Sequence, residues 1–377
     1  MMRYLLTIIL LAIVLNVSAQ NPVFYLLIGT YTNSPSKSEG IYVYKFNPNK
    51  AEATFVSKAT GVTNPSYLAI SKDQKYVYSV NETHSDKGGD VSAFSFDKQK
   101  GELHFINKQS TGGDDPAYVS VDSAGKWVVT ANYSGGNIGV LPVGADGALQ
   151  PAAQILPHEG YGVNVERQGQ PHPHCVVFSP DEKYMFSADL GNDRIYTYSF
   201  DPNNKQTPFS SPDPAYIEVP DGSGPRHITF HPNGQFAYVI NELSGNVIVY
   251  QYSNGKLTEI QTIESTTEGN KNDRGSADIH ITPDGKFLYT SNRGAANDIT
   301  IYKTSPDGKL IQVGHQKVGA HPRNFMIDPT GRFLLVACKD SNQVQVYVIN
   351  KNFGLLQDAG LKLDIDQPVC LKMMPVK

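Results

Sequence analysis

The chain has 377 residues, with 32 Lys and Arg against 36 Asp and Glu, so its formal net charge is −4 at pH 7. This charge argues against a nucleic-acid-binding surface, which requires a basic face. The three cysteines allow at most one disulfide, and no catalytic cysteine signature surrounds them, so we interpret them as buried apolar thiols.

The first 19 residues have the pattern of a cleavable signal peptide. Arg3 gives a short positive region, residues 5–15 are apolar apart from Thr7, and residues 17–19 form a small-residue cleavage site. The apolar stretch is short for a membrane span, and no cysteine follows the cleavage site to carry a lipid. We therefore expect export to the periplasm or beyond, with no membrane span left after leader removal. A retained N-terminal anchor is the alternative.

An alternating apolar pattern recurs seven times along the rest of the chain. Its copies start at Ile41, Val91, Ile138, Ile195, Val247, Ile299 and Val344. Successive copies are 50, 47, 57, 52, 52 and 45 residues apart. A repeat of about 50 residues is one supersecondary unit that cannot bury its faces alone, and four short strands per repeat are typical of a β-propeller blade.

A second pattern precedes six of these strands and predicts a hairpin. It consists of an apolar strand, a tight turn and another apolar strand, and its first and last residues are always 16 apart. The pairs are Pro65 and Asn81, Pro116 and Asn132, Pro173 and Asp189, Pro225 and Asn241, Ser276 and Asn292, and Pro322 and Cys338. The turns are rich in Pro, Gly, Asn and Asp, and the flanking strands in Val, Ile, Tyr and Phe, as a hairpin requires.

The two ends of the chain supply the remaining blade. Residues 368–374 resemble a first strand without a hairpin partner, and residues 24–32 resemble a second strand without a first. Pairing them would close the ring and remove exposed sheet edges. The sequence therefore predicts an all-β fold, a seven-bladed β-propeller of four-stranded blades, in one domain over residues 20–377.

Charged and histidine side chains concentrate where the blade geometry brings strand ends together. The start of one hairpin strand lies beside the end of the other, and the first strand of each blade lines the central channel, so both positions face one funnel. The strand starts carry His172, His174, Arg226, His227, Asp278, His280, His321 and Arg323, and the hairpin ends carry Glu82, Glu242, Arg293 and Lys339. Arg, His and Glu around a concave opening favour an anionic or oxygen-rich small molecule.

A purely structural role remains an alternative for several members of this set. His227 and His280 also suit structural hydrogen bonds, Arg226 and Glu242 suit an ion pair, and Glu82 and Lys339 suit a solvated rim. Zinc on His172, His174 and His321 lacks a carboxylate ligand, so we expect no metal and no other cofactor. The chain contains no Gly-x-Ser-x-Gly motif of a serine hydrolase.

The ordered motifs resemble the seven-bladed bacterial lactonase family, the propeller type of 6-phosphogluconolactonase, which is related to fungal carboxymuconate-lactonizing enzymes. The matching stretches include Gln170-Pro-His-Pro-His174, Gly224-Pro-Arg-His227, Val239-Ile-Asn-Glu-Leu243, Ser291-Asn-Arg293 and His321-Pro-Arg323, and the likeness covers about residues 23–374. The resemblance implies that His172 or His174, Arg226, Glu242 and Arg293 fall on the family's proposed active site.

The resemblance implies hydrolysis of a sugar lactone, and the leader favours including unphosphorylated lactones among the substrates. We predict catalytic roles for Glu242, His172, His174, Arg226 and Arg293, and substrate-binding roles for Arg323, His321, His227, Asp278 and Glu82. Glu242 or a histidine would deprotonate water, and the arginines would hold the oxyanion or an anionic group. Two alternatives stay open: a non-catalytic envelope propeller that binds an acidic sugar or a protein partner, and a carboxymuconate-type cycloisomerase. We expect a monomer whose partner is a small-molecule lactone or sugar acid.

Overall fold

The computed structural model describes residues 22–85, 88–266 and 274–376. Within these ranges the chain forms 29 β-strands, all paired antiparallel, and one 3-10 turn at Lys339–Ser341. The predicted leader lies outside the described residues. In the same ranges no helix is long and apolar enough to cross a membrane.

The strands form seven sheets, one for each predicted blade. The closing blade consists of β1 (Phe24–Thr30), β2 (Gly40–Asn47), β3 (Glu52–Thr60) and β29 (Pro368–Pro375). The next two blades consist of β4 (Leu68–Ile70), β5 (Tyr76–Asn81), β6 (Asp90–Asp97) and β7 (Glu102–Ser110), and of β8 (Pro116–Val121), β9 (Trp127–Asn132), β10 (Asn137–Pro142) and β11 (Gln154–Pro157).

The fourth blade has five strands, because two short segments both pair with its third strand. It consists of β12 (Pro173–Phe178), β13 (Tyr184–Asp189), β14 (Arg194–Phe200), β15 (Phe209–Ser210) and β16 (Tyr216–Glu218). The fifth and sixth blades consist of β17 (Pro225–Phe230), β18 (Phe236–Asn241), β19 (Asn246–Ser253) and β20 (Lys256–Glu264), and of β21 (Ser276–Ile281), β22 (Phe287–Asn292), β23 (Asp298–Thr304) and β24 (Leu310–Lys317). The seventh consists of β25 (Pro322–Ile327), β26 (Phe333–Cys338), β27 (Gln343–Ile349) and β28 (Leu356–Asp364).

The innermost strands surround a central channel and close into a ring. Each innermost strand contacts the next one around the ring, in the order β29, β4, β8, β12, β17, β21 and β25. Strand β25 then contacts β29 again. Strand β1 pairs with β29 along its whole length, so the first and last strands share one sheet. The predicted seven-bladed propeller, with its ring closed by the two ends of the chain, is confirmed.

Apolar side chains on facing sheets hold neighbouring blades together. Phe46 of the closing blade meets Phe333 of the seventh blade edge to face at 5.5 Å, and Tyr25 meets Phe96 of the second blade at 5.1 Å. Each such fully buried aromatic side chain contributes about 1.5–3 kcal/mol of transfer free energy. Blade-to-blade packing is thus continuous around the ring.

One backbone hydrogen bond recurs at the same end of all seven hairpins and defines that end of the channel, here called the mouth. The N–H of the residue after the second strand donates to a carbonyl at 2.7–3.1 Å. That carbonyl belongs to the residue directly before the first strand in six blades, and to Asn64, four residues before β4, in the second blade. The donor and acceptor pairs are Tyr31 and Gln367, Glu82 and Asn64, Tyr133 and Asp115, Leu190 and His172, Glu242 and Gly224, Arg293 and Gly275, and Lys339 and His321.

A β-bulge follows immediately in the inner strand of six blades. Register shifts occur after Pro116, Pro173, Pro225, Ser276, Pro322 and Pro368. Among the residues left without a pairing partner are His174, Arg226 and Arg323. Because a bulge turns a side chain away from the regular strand direction, it aims these three groups at the mouth.

Candidate active site

Glu242 is the centre of the cluster at the mouth. Its Oε2 accepts from Arg226 Nε at 2.9 Å and lies 2.8 Å from Arg293 Nη2, while Oε1 accepts from Arg167 Nη2 at 2.6 Å. Burial acts to raise the pKa of Glu242, but Arg293, Arg226 and Arg167 outweigh it and hold that pKa well below its usual range. Glu242 is therefore an ionised anchor whose two oxygens are both engaged by guanidinium groups.

Arg226 links this carboxylate to the inner wall of the channel. Its Nη1 donates to the carbonyl of Ala277 at 2.5 Å and to His227 Nε2 at 3.2 Å. Burial, together with Arg293 and Arg323, lowers the pKa of Arg226 to about 10, so the guanidinium stays charged at neutral pH. Within the described residues Nη2 has no hydrogen-bond partner, so it is the end left for a ligand.

His227 and Asp278 form a buried pair behind Arg226. His227 Nδ1 lies 2.7 Å from Asp278 Oδ1, and its other nitrogen accepts from Arg226, which fixes the neutral tautomer with the proton on Nδ1. Burial and Arg226 lower the pKa of His227 to about 4, in agreement with that neutral state. Asp278 also accepts from His280 Nε2 at 3.1 Å and from the Phe325 N–H at 3.2 Å. Both carboxylate oxygens thus accept hydrogen bonds from protein groups, so Asp278 lies behind the site and not at its ligand-facing surface.

His174 and His172 differ sharply in their surroundings. His174 is buried, and its Nδ1 has no hydrogen-bond partner among the described residues. Burial, then Arg226, His227 and Arg323, lowers the pKa of His174 well below its ordinary value, so the ring is neutral. His172 instead stacks on Tyr133 at 4.3 Å, and its Nδ1 lies 2.8 Å from the Tyr133 carbonyl. A buried nitrogen without a partner points to a ligand, so His174 is the stronger candidate of the two.

A second charged group completes the opposite side of the mouth. Arg323 lies 3.7 Å from Glu82 and 5.5 Å above the ring of Tyr31, whose hydroxyl donates to Glu82 at 2.9 Å. Arg323 also interacts electrostatically with the centre of the cluster: its charge lowers the pKa of Arg226, and Glu242 raises the pKa of Arg323. Glu82 is therefore paired within the cluster.

His321 and Lys339 lie farther out on the rim. His321 Nδ1 is 3.2 Å from Asp340, which also pairs with Lys339. Burial, followed by Arg293 and Lys339, lowers the pKa of His321 to about 3. No three His, Cys, Asp or Glu residues in the described part of the chain form a group that could hold a metal ion, so His172, His174 and His321 do not converge.

Sequence reasoning missed three residues of this cluster, and two of them had a signal. Tyr31 and Tyr133 follow the second strand of their blades, the same repeat position that carries Glu82 and Glu242. Arg167 lies in the irregular loop between β11 and β12, where the longest repeat spacing, 57 residues, was the only hint of an insertion.

These contacts define a closed seven-bladed propeller with a cluster of arginines and a neutral buried histidine at one mouth of its channel. Residues 25–373 match the model of the family described as Lactonase, 7-bladed beta-propeller, and the chain belongs to this family. The predicted family is confirmed.

Similarity to individual proteins extends over most of the chain. A crystal structure from Bacteroides fragilis NCTC 9343 is 46% identical, with a TM-score of 0.90 over 95% of this chain and 99% of that one. The 6-phosphogluconolactonase of Formosa agariphila is 36% identical over 92% of this chain and 99% of its own length. The periplasmic gluconolactonase PpgL of Pseudomonas aeruginosa is 36% identical, with a TM-score of 0.88 over 94% of this chain and 100% of that one.

Proposed function

We propose that this protein hydrolyses the ring ester of a sugar lactone. The observation that carries the proposal is the buried, neutral His174, whose Nδ1 lacks a partner in the described chain beside the Arg226 guanidinium. Two relatives of this chain, a 6-phosphogluconolactonase and a gluconolactonase, act on compounds of this kind. Family membership supports the reaction class, and the cluster geometry supports the roles below.

The reaction needs a base for water and a cation for the oxyanion. His174 Nδ1 accepts a proton from water as the water oxygen attacks the lactone carbonyl carbon. The free Nη2 of Arg226, with Arg293 beside it, stabilises the negative charge that develops on the carbonyl oxygen. The tetrahedral intermediate then collapses, the bond from carbon to ring oxygen breaks, and the ring oxygen takes the proton from His174. The product is the open-chain hydroxy acid.

Glu242 has a supporting role in this scheme. It neutralises and orients Arg226, Arg293 and Arg167, so that their charges are tolerated at a buried position. The predicted base was Glu242 or a histidine, and we assign that role to His174 because both Glu242 oxygens already accept hydrogen bonds.

We propose that the reaction takes place outside the cytoplasm in a monomeric protein. The pattern of residues 1–19 and the periplasmic relative support export. A lactone encountered there includes the unphosphorylated class, so both forms belong in the assay. N-terminal sequencing of the exported protein, with a start at Gln20 or Asn21, checks the cleavage site.

The test is acid release by the purified mature protein. Gluconolactone and its 6-phosphate are followed in a pH-stat at mildly acidic pH, where spontaneous opening is slow, with Arg226→Met and Arg332→Met alongside the wild type. We expect wild-type turnover well above the spontaneous rate and a loss of about 10²–10³-fold for Arg226→Met alone. Saturable binding without any product would favour the non-catalytic binder instead.

A further inference from the structure

Arg167 reaches the site from a loop whose geometry is fixed by its neighbour. Gln168 is fully buried, its Nε2 donates to the carbonyl of Leu190 at 2.9 Å, and its Oε1 accepts from the Asn164 N–H at 3.1 Å. The Arg167 N–H in turn donates to the Asn164 carbonyl at 3.0 Å. The backbone under Arg167 is thus held in place, and the side chain is directed to Glu242 at the mouth.

Arg167 is also the exposed member of the guanidinium cluster. Its side chain is 42% exposed, against 1% for Arg226, 12% for Arg293 and 16% for Arg323. It touches Glu242 through Nη2 only, and Glu242 keeps Arg226 and Arg293 when that contact opens. Arg167 therefore has donors facing solvent and can turn to a ligand without leaving a buried carboxylate unpaired.

The mouth carries more positive than negative charge. Four guanidinium groups meet three carboxylates, Glu242, Glu82 and the buried Asp278, while burial keeps His174 and His227 neutral. The whole chain has a net charge of −4, so this local excess opposes the average of the molecule. A cationic opening in an acidic protein favours ligands with a negative group near the solvent.

We propose that Arg167 is a specificity-determining residue that selects sugar lactones with an anionic group, phosphate or carboxylate, on the exocyclic carbon. The inference rests on the proposed function, because it takes the reacting carbonyl to lie at Arg226 and His174. In a six-membered aldonolactone the exocyclic carbon is bonded to the ring carbon on the other side of the ring oxygen from the carbonyl carbon, so a group on it projects away from the carbonyl oxygen. Glu242 binds both Arg226 and Arg167, so a lactone whose carbonyl lies at Arg226 can extend such a group to the solvent side, where Arg167 offers a planar guanidinium suited to an oxyanion.

The experiment measures binding of the open-chain acids, so that it does not depend on turnover. Isothermal titration calorimetry compares gluconate, 6-phosphogluconate and glucarate, which carry a hydroxyl, a phosphate and a carboxylate at that carbon. The proteins are the wild type, Arg167→Met, Arg167→Lys and the control Arg332→Met. Arg332 lies in the turn between β25 and β26, at the end of the seventh blade away from the mouth, so the control removes one positive charge outside the site.

We expect the wild type to bind 6-phosphogluconate, glucarate or both at least tenfold more tightly than gluconate. Arg167→Met should weaken binding of the anionic ligand by about 10- to 100-fold, since a charge-assisted contact is lost, and change gluconate less than twofold. Arg167→Lys should retain part of the preference, and Arg332→Met all of it. The two anionic arms tell whether phosphate or carboxylate is the group selected.

Two results would overturn the inference. An equal loss for gluconate and the anionic ligands would mean that Arg167 only holds its loop, and no anion preference in the wild type, including no binding of any acid, would remove the selectivity itself. Selective binding without lactone opening would support the role of Arg167 and contradict the proposed hydrolysis. Lactone opening without selective binding would support hydrolysis and contradict the role of Arg167.

Discussion

At the mouth, the protonation state of each buried ionisable side chain matches the charges of its neighbours. Glu242 is charged and shared among three arginines, whereas His174 and His227 are neutral because burial, and then the nearby charge of Arg226, lowers their pKa values. Burial alone would drive Glu242 toward the neutral acid, so the guanidinium groups decide its state. The polar atom at the mouth that is buried without a partner among the described residues is His174 Nδ1, which the proposed chemistry uses together with Arg226.

His174→Asn tests the proposed base. We expect kcat to fall by about 10²–10⁴-fold with the fold intact, because the group that accepts the water proton is lost. His172→Asn is the matched control and should cost much less, since His172 Nδ1 is already engaged by the Tyr133 carbonyl. Because the pKa of His174 is lowered, wild-type kcat should stay flat from pH 8 to mildly acidic pH. Equal losses for the two variants would contradict the assignment.

The pH dependence of stability should report the buried His227. Its folded-state pKa is lowered to about 4, whereas an unfolded imidazole titrates near 6.5, so the unfolded state binds more protons between these values. The free energy of unfolding must then fall as the pH is lowered, by about 3 kcal/mol over the whole window for a shift of this size.

Urea unfolding at pH 7, 6 and 5 measures this slope while the carboxylates stay ionised. His227→Gln should show a shallower slope than the wild type, although His174 and His321 add contributions of the same sign in both proteins. An identical slope in the variant would mean that the pKa of His227 is not lowered in the folded protein.

At the scale of single elements, the hairpin repeat is what the sequence could predict. The constant spacing of 16 residues located six of the seven inner strand pairs and placed Arg226, Glu242 and Arg293 at one end of the channel, where the structure brings them together. The reason is local, because antiparallel pairing and period-two alternation depend only on nearby residues.

The bulges and the Arg167 loop could not be predicted in this way. A bulge adds one unpaired residue to a strand without disturbing its apolar pattern, so the sequence did not show that His174 leaves the ladder while His172 precedes the strand. Arg167 lies where no repeat applies, and its contact with Glu242 spans 75 positions in the chain. Such contacts depend on the closed ring and not on local pattern.

The hairpin of β17 and β18 carries both Arg226 and Glu242, and its stability should depend on their pairing. Glu242→Gln is expected to destabilise the protein by about 3 kcal/mol, because it leaves a fully buried arginine without its counter-charge. Glu82→Gln, whose contact with Arg323 is longer at 3.7 Å, should cost less. Urea unfolding of both variants gives the comparison, and a double variant with Arg226→Met should recover part of the Glu242→Gln loss. No recovery would argue against a direct coupling of the two residues.

At the scale of the whole molecule, closure of the ring and assembly of the site are physically connected. The N–H of Leu371 in β29 donates to Asn324 Oδ1 at 2.8 Å, and the amide of Asn324 donates to Asp278. Asp278 holds His227, which contacts Arg226. A chain of hydrogen bonds therefore runs from the C-terminal strand to the proposed oxyanion-binding arginine.

Removal of β29 should abolish the folded state and not only weaken it. A chain that ends at Ile365 leaves β1 as an unpaired inner edge whose seven residues are all buried in the intact ring, and an apolar edge of this kind promotes aggregation. It also leaves Asn324 and Asp278 without the strand that completes the channel wall. We expect the truncated protein to elute as aggregate in size-exclusion chromatography and to lack the cooperative thermal transition of the wild type.

Deletion of Lys377 alone should change neither readout, because the strand ends before it. A truncated chain that stays monodisperse and keeps the wild-type melting temperature would contradict the requirement for closure. Proper folding with loss of activity alone would assign β29 to the site instead of the ring.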